Sequence, residues 1–251
     1  MKFKFITLNL WEGGLLLDNA LEFLKKENAN IVNLQETFNE KDETLEKRYR
    51  SGAIIKKELH YLCDFFSPTF LDIRIPEKLN QGNLVLSRHP IIKTDTIFYD
   101  VPYGNLTVNN NDYSFNPRNL QHVNIRTGDT ELNVFNTQGI WGFDGNDNER
   151  RIEMSRIIVK EIKGKQNVIL AGDFNVHPDT ITIGNIEKYL KNVFCNELKT
   201  TFNMKRKAKS GGFANSVVDM VFISKNIKVF DHYCPDVDVS DHLPLICSFE
   251  V

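Results

Sequence analysis

Short apolar runs recur along this chain, and several of them stop on an amide or an acid. Phe3–Leu10 predicts a first strand with Asn9 at its end, and Leu17, Ala20, Leu21 and Leu24 fall at helical spacing after it. Ile31–Leu34 reads as a short buried strand that delivers Gln35 and Glu36 at its tip. A charged segment over Lys41–Lys57 predicts a helix, and Tyr61–Phe66, Leu84–Leu86 and Ile91–Phe98 predict further strands. Asn105–Asn119 is rich in Asn, Asp, Pro and Tyr, as a long surface loop or hairpin would be. Two strands, Gln121–Ile125 and Glu131–Asn136, flank a Thr127-Gly128-Asp129 turn. Asn146–Lys163 predicts a helix with Met154, Ile157, Ile158 and Ile162 on one face. Val168–Ala171 predicts a buried strand, Thr182–Leu190 another helix, and Val217–Ile223, Ile227–Phe230 and Leu245–Phe249 the last strands.

No linker, repeat or low-complexity block interrupts that order. Helices and strands are intermixed, yet hairpin-like pairs are frequent, so the pattern predicts an α/β (α+β mixed) fold with mixed sheets in a single domain over residues 1–251. Length changes little in this picture, since 251 residues can bury a substantial core. Charge does more. A net charge of −2 supplies no global basic field for long nucleic acid, which argues against a non-specific DNA coat while leaving room for an enzyme with a local basic rim. Four cysteines, Cys63, Cys195, Cys234 and Cys247, are widely spaced with no C-x-x-C pair, and Cys63 and Cys247 read as buried reduced thiols. Met1–Ile6 superficially resembles a signal peptide, but Asn9 and Glu12 break the apolar run. No stretch approaches the roughly 18 apolar residues of a membrane span. A cytoplasmic, monomeric protein is expected.

The polar groups at strand ends are the candidate chemistry, because a rigid sheet fixes them while loops leave them open. Glu36 is placed to hold a hard divalent cation, which takes oxygen ligands; taken alone it also reads as a solvated acid capping a loop. Asp173 and Asn175 alternate about Phe174, so an extended chain would point both one way with Phe174 packed behind, and a turn over Gly172-Asp173-Phe174-Asn175 is the alternative. Such a carboxylate–amide pair can orient a water for in-line attack and steady a phosphate oxygen. In Ser240-Asp241-His242, the acid can bind metal while a cationic imidazole contacts phosphoryl oxygens. Asp219, an acid in the apolar run Val217–Phe222, needs a partner if buried, and His242 is the one we nominate.

Taken in order, Thr7-Leu8-Asn9, Leu34-Gln35-Glu36, Gly82-Asn83-Leu84-Val85-Leu86-Ser87-Arg88, Asn136-Thr137, Gly172-Asp173-Phe174-Asn175, Val218-Asp219 and Ser240-Asp241-His242 resemble the endonuclease/exonuclease/phosphatase superfamily. The resemblance covers nearly the whole chain. It implies a four-layered α/β sandwich, two mixed sheets face to face with helices outside. It also implies a Mg²⁺ ion, with Mn²⁺ as a substitute, held by Glu36 with help from Asn9 and Asp241. Asp173 would orient or deprotonate the attacking water, Asn175 would hold the phosphate, and His242 oriented by Asp219 would stabilise phosphoryl charge. Arg118 sits where such enzymes often carry a phosphate-facing arginine.

One position departs from the pattern. After Asn136-Thr137 the superfamily commonly has a histidine on the leaving-group side, and here the residue is Gln138. An amide can donate a hydrogen bond but cannot act as an acid, and acid–base help is typically worth about 10²–10⁴-fold. The resulting expectation is a Mg²⁺-dependent phosphoesterase acting on a phosphodiester, in the manner of a nuclease. A phosphatase for a phosphorylated metabolite or inositol phosphate is the alternative, and a non-catalytic binding descendant is the second. Substrate reading falls to the loops Asn105–Asn119, Gly139–Asn148 and Thr200–Ala214. The last of these carries Lys205-Arg206-Lys207-Ala208-Lys209, and Trp141 and Phe143 lie in the second.

Overall fold

A computed structural model describes residues 1–108, 112–207 and 215–251. Two six-stranded sheets form the body, with five helices among the described residues. In chain order the elements are β1 (Lys2–Asn9), α1 (Leu17–Glu27), β2 (Ile31–Phe38), α2 (Ser51–Glu58), β3 (Cys63–Asp72), β4 (Leu79–Ser87), β5 (Ile91–Phe98), β6 (Asn119–Thr127) and β7 (Thr130–Gln138). There follow α3 (Glu149–Ile162), β8 (Val168–Asp173), α4 (Ile181–Glu187), β9 (Lys191–Asn192), α5 (Met204–Lys207), β10 (Asp219–Ile223), β11 (Lys228–Tyr233) and β12 (Leu245–Glu250). The first sheet runs β11-β12-β1-β2-β4-β3 and the second β5-β6-β7-β8-β10-β9. Each is antiparallel except for one parallel pair, β1 with β2 and β7 with β8.

Strand alternation explains the layering. Phe3, Phe5, Ile31, Val134, Ile169, Ala171, Val221 and Cys247 meet in one core between the sheets. Their neighbours point the other way. Ile6, Leu8, Val32 and Leu34 pack under α1 and α2 with Ala20, Leu24 and Ile55, and Phe135, Val168, Leu170 and Phe222 pack under α3 and α4 with Met154, Ile158 and Ile183. Both faces of the central strands are therefore covered, which is why β8 is a continuous apolar run. The expected four-layered α/β sandwich is the observed architecture.

Several boundaries differ from the sequence reading, each for a local reason. The charged segment over residues 41–57 becomes helical only late: a short 3-10 turn spans Lys47–Arg50, and α2 starts at Ser51. β3 runs on to Asp72 through Pro68, tolerable because β3 is an edge strand whose register shifts between Pro68 and Phe70. Cys63 lies on that edge and is half-buried, whereas Cys247 is buried as expected. Asn148 caps α3 by accepting from the Arg151 N–H, so the helix starts at Glu149. β10 begins at Asp219, which therefore stands at the mouth of a strand and not inside it. Residues Lys205–Lys207 of the basic run lie in the short α5; Ala208 and Lys209 fall outside the described residues. No helix among the described residues is long and apolar enough to cross a membrane.

Candidate active site

Because β6, β10 and β12 run antiparallel to β7, β8 and β1, three of their starting ends meet the finishing ends of β1, β2, β7 and β8. Asn9 and Gln35 are register partners across the first sheet, as are Gln138 and Asp173 across the second. The sandwich thereby gathers Asn9, Glu36, Arg118, Gln138, Asp173, Asn175, Asp219, Asp241 and His242 at one edge. Seven of them, all but Asn9 and Asp219, line one cavity of about 700 Å³.

Glu36 reaches the cavity through an irregularity. The β2–β4 register shifts between Leu34 and Thr37, and Glu36 takes the left-handed conformation with φ 55°. Its Oε1 accepts from Asn9 Nδ2 at 3.1 Å and Gln138 Nε2 at 2.7 Å, and its Oε2 accepts from the Glu12 N–H at 2.8 Å. Burial pushes this carboxyl up, but those donors, helped by the charges of His242 and Arg118, outweigh it and hold it below the ordinary value.

Asp173 and Asn175 are not the extended pair that alternation predicts. Asn175 turns into the left-handed region at φ 56°, and its N–H donates to Asp173 Oδ1 at 3.0 Å. The two side chains still meet, Asn175 Nδ2 lying 3.3 Å from Asp173 Oδ2 while Phe174 is buried against Phe222. Asn9 Nδ2 reaches the same Oδ2 from the other sheet at 3.2 Å. Burial drives the Asp173 carboxyl up to about 7; cationic His242 opposes the rise, and Asp219 and Glu36 add to it.

His242 Nδ1 lies 2.8 Å from Asp219 Oδ2, the pairing nominated from sequence. The N–H groups of Val218 and Asp219 both rest on Thr201 Oγ1, which fixes the acid. Burial pulls the imidazole down, but Asp219, then Asp241 and Asp173, lift it to about 10, so it is cationic at neutral pH and its Nε2 is left for the cavity.

Arg118 ends the loop before β6 and faces the cavity, not the open surface. It is buried over the Phe70 ring, donates only to the Pro117 carbonyl, and has no carboxylate within ion-pair distance among the described residues; its Nε has no acceptor. A guanidinium held like this in a cavity is a ready anion site. Asp241 is also buried, and its carboxylate takes Lys207 Nζ at 2.7 Å. Ser240 Oγ binds the Asn9 carbonyl at 2.6 Å and so ties the β12 approach to β1.

Glu36, Asp173 and Asp241 give the cavity an all-oxygen carboxylate set, the donor chemistry that a hard divalent cation such as Mg²⁺ takes. Asn9, as oriented, faces the two carboxylates with its amide donors, while its Oδ1 accepts from Trp11 N–H. Asp173, Asp219 and His242 also each offer a ligand atom within 4.8 Å of the others. The short Asp219–His242 hydrogen bond engages two of those three with each other.

Sequence reasoning missed Glu12, Thr201, Ser240, Gln81, Arg74 and Tyr113. Most sit on loops without periodicity, and nothing in the local pattern marks them; only Ser240 stood inside a quoted motif.

Solved structures share this fold. An endonuclease/exonuclease/phosphatase from Beutenbergia cavernae superposes with a TM-score of 0.77 at 17% identity, over 100% of this chain and 72% of that one. One from Bacteroides vulgatus gives 0.74 at 15%, over 100% and 99%. A mannosyl-6-phosphatase of Bacteroides thetaiotaomicron gives 0.68 at 18%, over 99% and 100%. No curated protein sequence matches the chain. The family model described as "Endonuclease/Exonuclease/phosphatase family" matches residues 6–242, from within β1 to the histidine that faces Asp219, and the chain therefore belongs to that family of phosphate-ester hydrolases.

Proposed function

We propose that the chain is a divalent-metal-dependent phosphoesterase, acting on a phosphodiester, with Mg²⁺ as the working ion and Mn²⁺ as a substitute. The observation that carries this reading is the pairing of opposites in one cavity: a buried, unpaired guanidinium at Arg118 beside the buried carboxylate of Asp173. Arg118 and cationic His242 bind the phosphoryl oxygens, and Asn175 steadies one of them through its amide. Asp173, held by Asn9 and Asn175, orients a water and takes its proton as it attacks phosphorus in line; an acid lifted to about 7 is matched to that task. Glu36, with Asn9 and Asp241, would hold the ion, which when bound neutralises phosphoryl charge. Gln138 is committed to Glu36 and its amide has no acidic proton, so this position gives the leaving group no acid, and esters with stable leaving groups are favoured.

The test is hydrolysis of bis-(4-nitrophenyl) phosphate and of 4-nitrophenyl phosphate with Mg²⁺, Mn²⁺ or chelator, beside the Asp173→Asn variant. Metal-dependent cleavage of the diester, lost in the variant, is expected. Faster cleavage of the monoester would move the assignment to a phosphatase. Metal binding with neither ester cleaved would favour the binding-only reading that Gln138 raises.

A further inference from the structure

The cavity has a second half, away from the phosphoryl end. Tyr113, Trp141 and Phe143 line it. Tyr113 and Trp141 meet at 77° with centroids 5.6 Å apart, and Trp141 and Phe143 at 70° and 5.0 Å. None of the three stacks face to face on another, so flat ring surface stays on offer. Phe143 is 70% exposed, so much of its ring is open at the rim of the cavity.

This wall is held in place. Arg151 is the largest fully buried side chain and reaches from α3 under the loop. Its Nε donates to the Ile140 carbonyl at 3.1 Å and its Nη1 to the Asn146 carbonyl at 2.5 Å, one on each side of Trp141 and Phe143. Burying a guanidinium to hold two loop carbonyls is costly in desolvation, and it fixes the rings relative to the site.

A polar group borders the same space. Gln81 lines the cavity almost fully buried, and its Nε2 has no hydrogen-bond partner. Buried donors are rarely left so, and a ligand acceptor resolves this one. Arg74 also lines the cavity. By contrast, Leu106 is the single aliphatic side chain among the described lining residues.

Size and charge narrow the ligand further. About 700 Å³ accommodates a molecule of nucleotide size. Of the three described cations of the basic run, two are already paired, Arg206 with Asp238 and Lys207 with Asp241, which weakens it as a track for a polymer.

We propose that this half of the cavity is a subsite for a planar heteroaromatic ring, and that the substrate is a small phosphate ester carrying one. The ring face lies on Tyr113 and Trp141, and an acceptor on its edge takes the Gln81 amide N–H. An acyl chain would find one aliphatic neighbour and leave that donor unpaired. The proposal rests on the phosphoesterase reading for the phosphoryl end.

Calorimetric titration of the Mg²⁺-supplied protein with AMP, ribose 5-phosphate and hexyl phosphate tests it, because the three share a phosphate and differ in the organic group. AMP should bind at least about ten-fold more tightly than either of the others, a margin typical of one base stacked on an aromatic side chain. Trp141→Ala should remove most of that margin, and Phe143→Ala, which takes away the ring packed on Trp141, and Gln81→Leu should each remove part of it, while ribose 5-phosphate binding stays unchanged. Phe143 is so exposed that its variant will fold. Hexyl phosphate binding as tightly as AMP, equal weakening of all three ligands, or no binding of any would overturn the proposal. Ring-selective binding without hydrolysis of any ester would keep the subsite and remove the phosphoesterase reading; hydrolysis with no ring preference would do the reverse.

Discussion

Gln138 donates its side-chain amide to Glu36 across the two sheets, Nε2 to Oε1 at 2.7 Å. Asn9 Nδ2 takes the second acceptor site on that oxygen, and the Glu12 N–H takes one of the two on Oε2. A carboxylate has about four such sites in all, so a single one, on Oε2, remains for a cation. Gln138 thus works on Glu36 and not on a leaving group. Gln138→Ala should weaken Mn²⁺ binding by about 10-fold, as loss of a partner to a metal ligand does, read by the electron spin resonance of free Mn²⁺. Gln138→Leu should weaken it as much, because it too removes the donor to Glu36 at nearly unchanged volume. Unchanged affinity in both variants would refute this positioning role.

His122 carries a pH dependence far from the site. Its ring stacks on Phe135, with centroids 4.1 Å apart and planes within 4°, and its Nε2 meets Asn133 Oδ1 at 3.1 Å. Burial lowers its pKa to about 4 against an ordinary 6.5, although the Asn133 contact opposes the shift. The unfolded chain therefore takes up this proton first. The stability contributed is complete above pH 6.5 and is lost as pH falls from there toward 4, on the order of 1–3 kcal/mol. Urea midpoints should fall more steeply between pH 7 and pH 4.5 for the parent than for His122→Phe. Parallel curves would show that His122 titrates normally in the folded state.

Asn136 fastens the two sheets beneath the site. Its Nδ2 donates to the carbonyls of Leu34 and Leu84 and to Gln121 Oε1, and its Oδ1 accepts from Gln35 Nε2 at 2.6 Å. Asn136→Leu keeps the volume but leaves those groups buried without it. Each lost partner costs about 1–3 kcal/mol, and the neighbours share the rest, so a net destabilisation of roughly 3 kcal/mol is expected from urea unfolding. A loss below about 1 kcal/mol would mean that water or a neighbour replaces the amide.

Asn136 also shows where sequence reading runs out. Apolar runs and their periods carried the strands, the helices over the outer faces and the acids at strand ends, because burial imposes those patterns on every residue of an element. Asn136-Thr137 stood out only as part of a resemblance, and the local sequence held no sign that one amide would meet four partners from other strands. Arg118 was likewise named only through the resemblance, and its burial was not legible for a related reason. Burial of a cation depends on Phe70 and on a cavity made by distant loops, and neither is encoded next to it. For Asn175 the local pattern allows either an extended backbone or a turn; its side-chain partner, Asp173, decides for a left-handed turn.

Arg151 supplies the last test, since its guanidinium holds the loop that carries Trp141 and Phe143. The fit is close: a Cβ on Gly142 would lie 2.6 Å from Nη2. Arg151→Lys retains the charge but not the fork that spans the Ile140 and Asn146 carbonyls. Gly142→Ala keeps the arginine in the chain but pushes its guanidinium aside. Both variants should expose residues 139–148 to limited proteolysis, and both should raise KM about 5- to 10-fold for a ring-bearing ester with little change in kcat, as loss of uniform binding does. A purely structural arginine would instead lower thermal stability and reduce the active fraction, leaving KM where it was. If kcat falls and KM holds in both variants, the loop acts on the reacting groups and the aromatic wall is not its purpose.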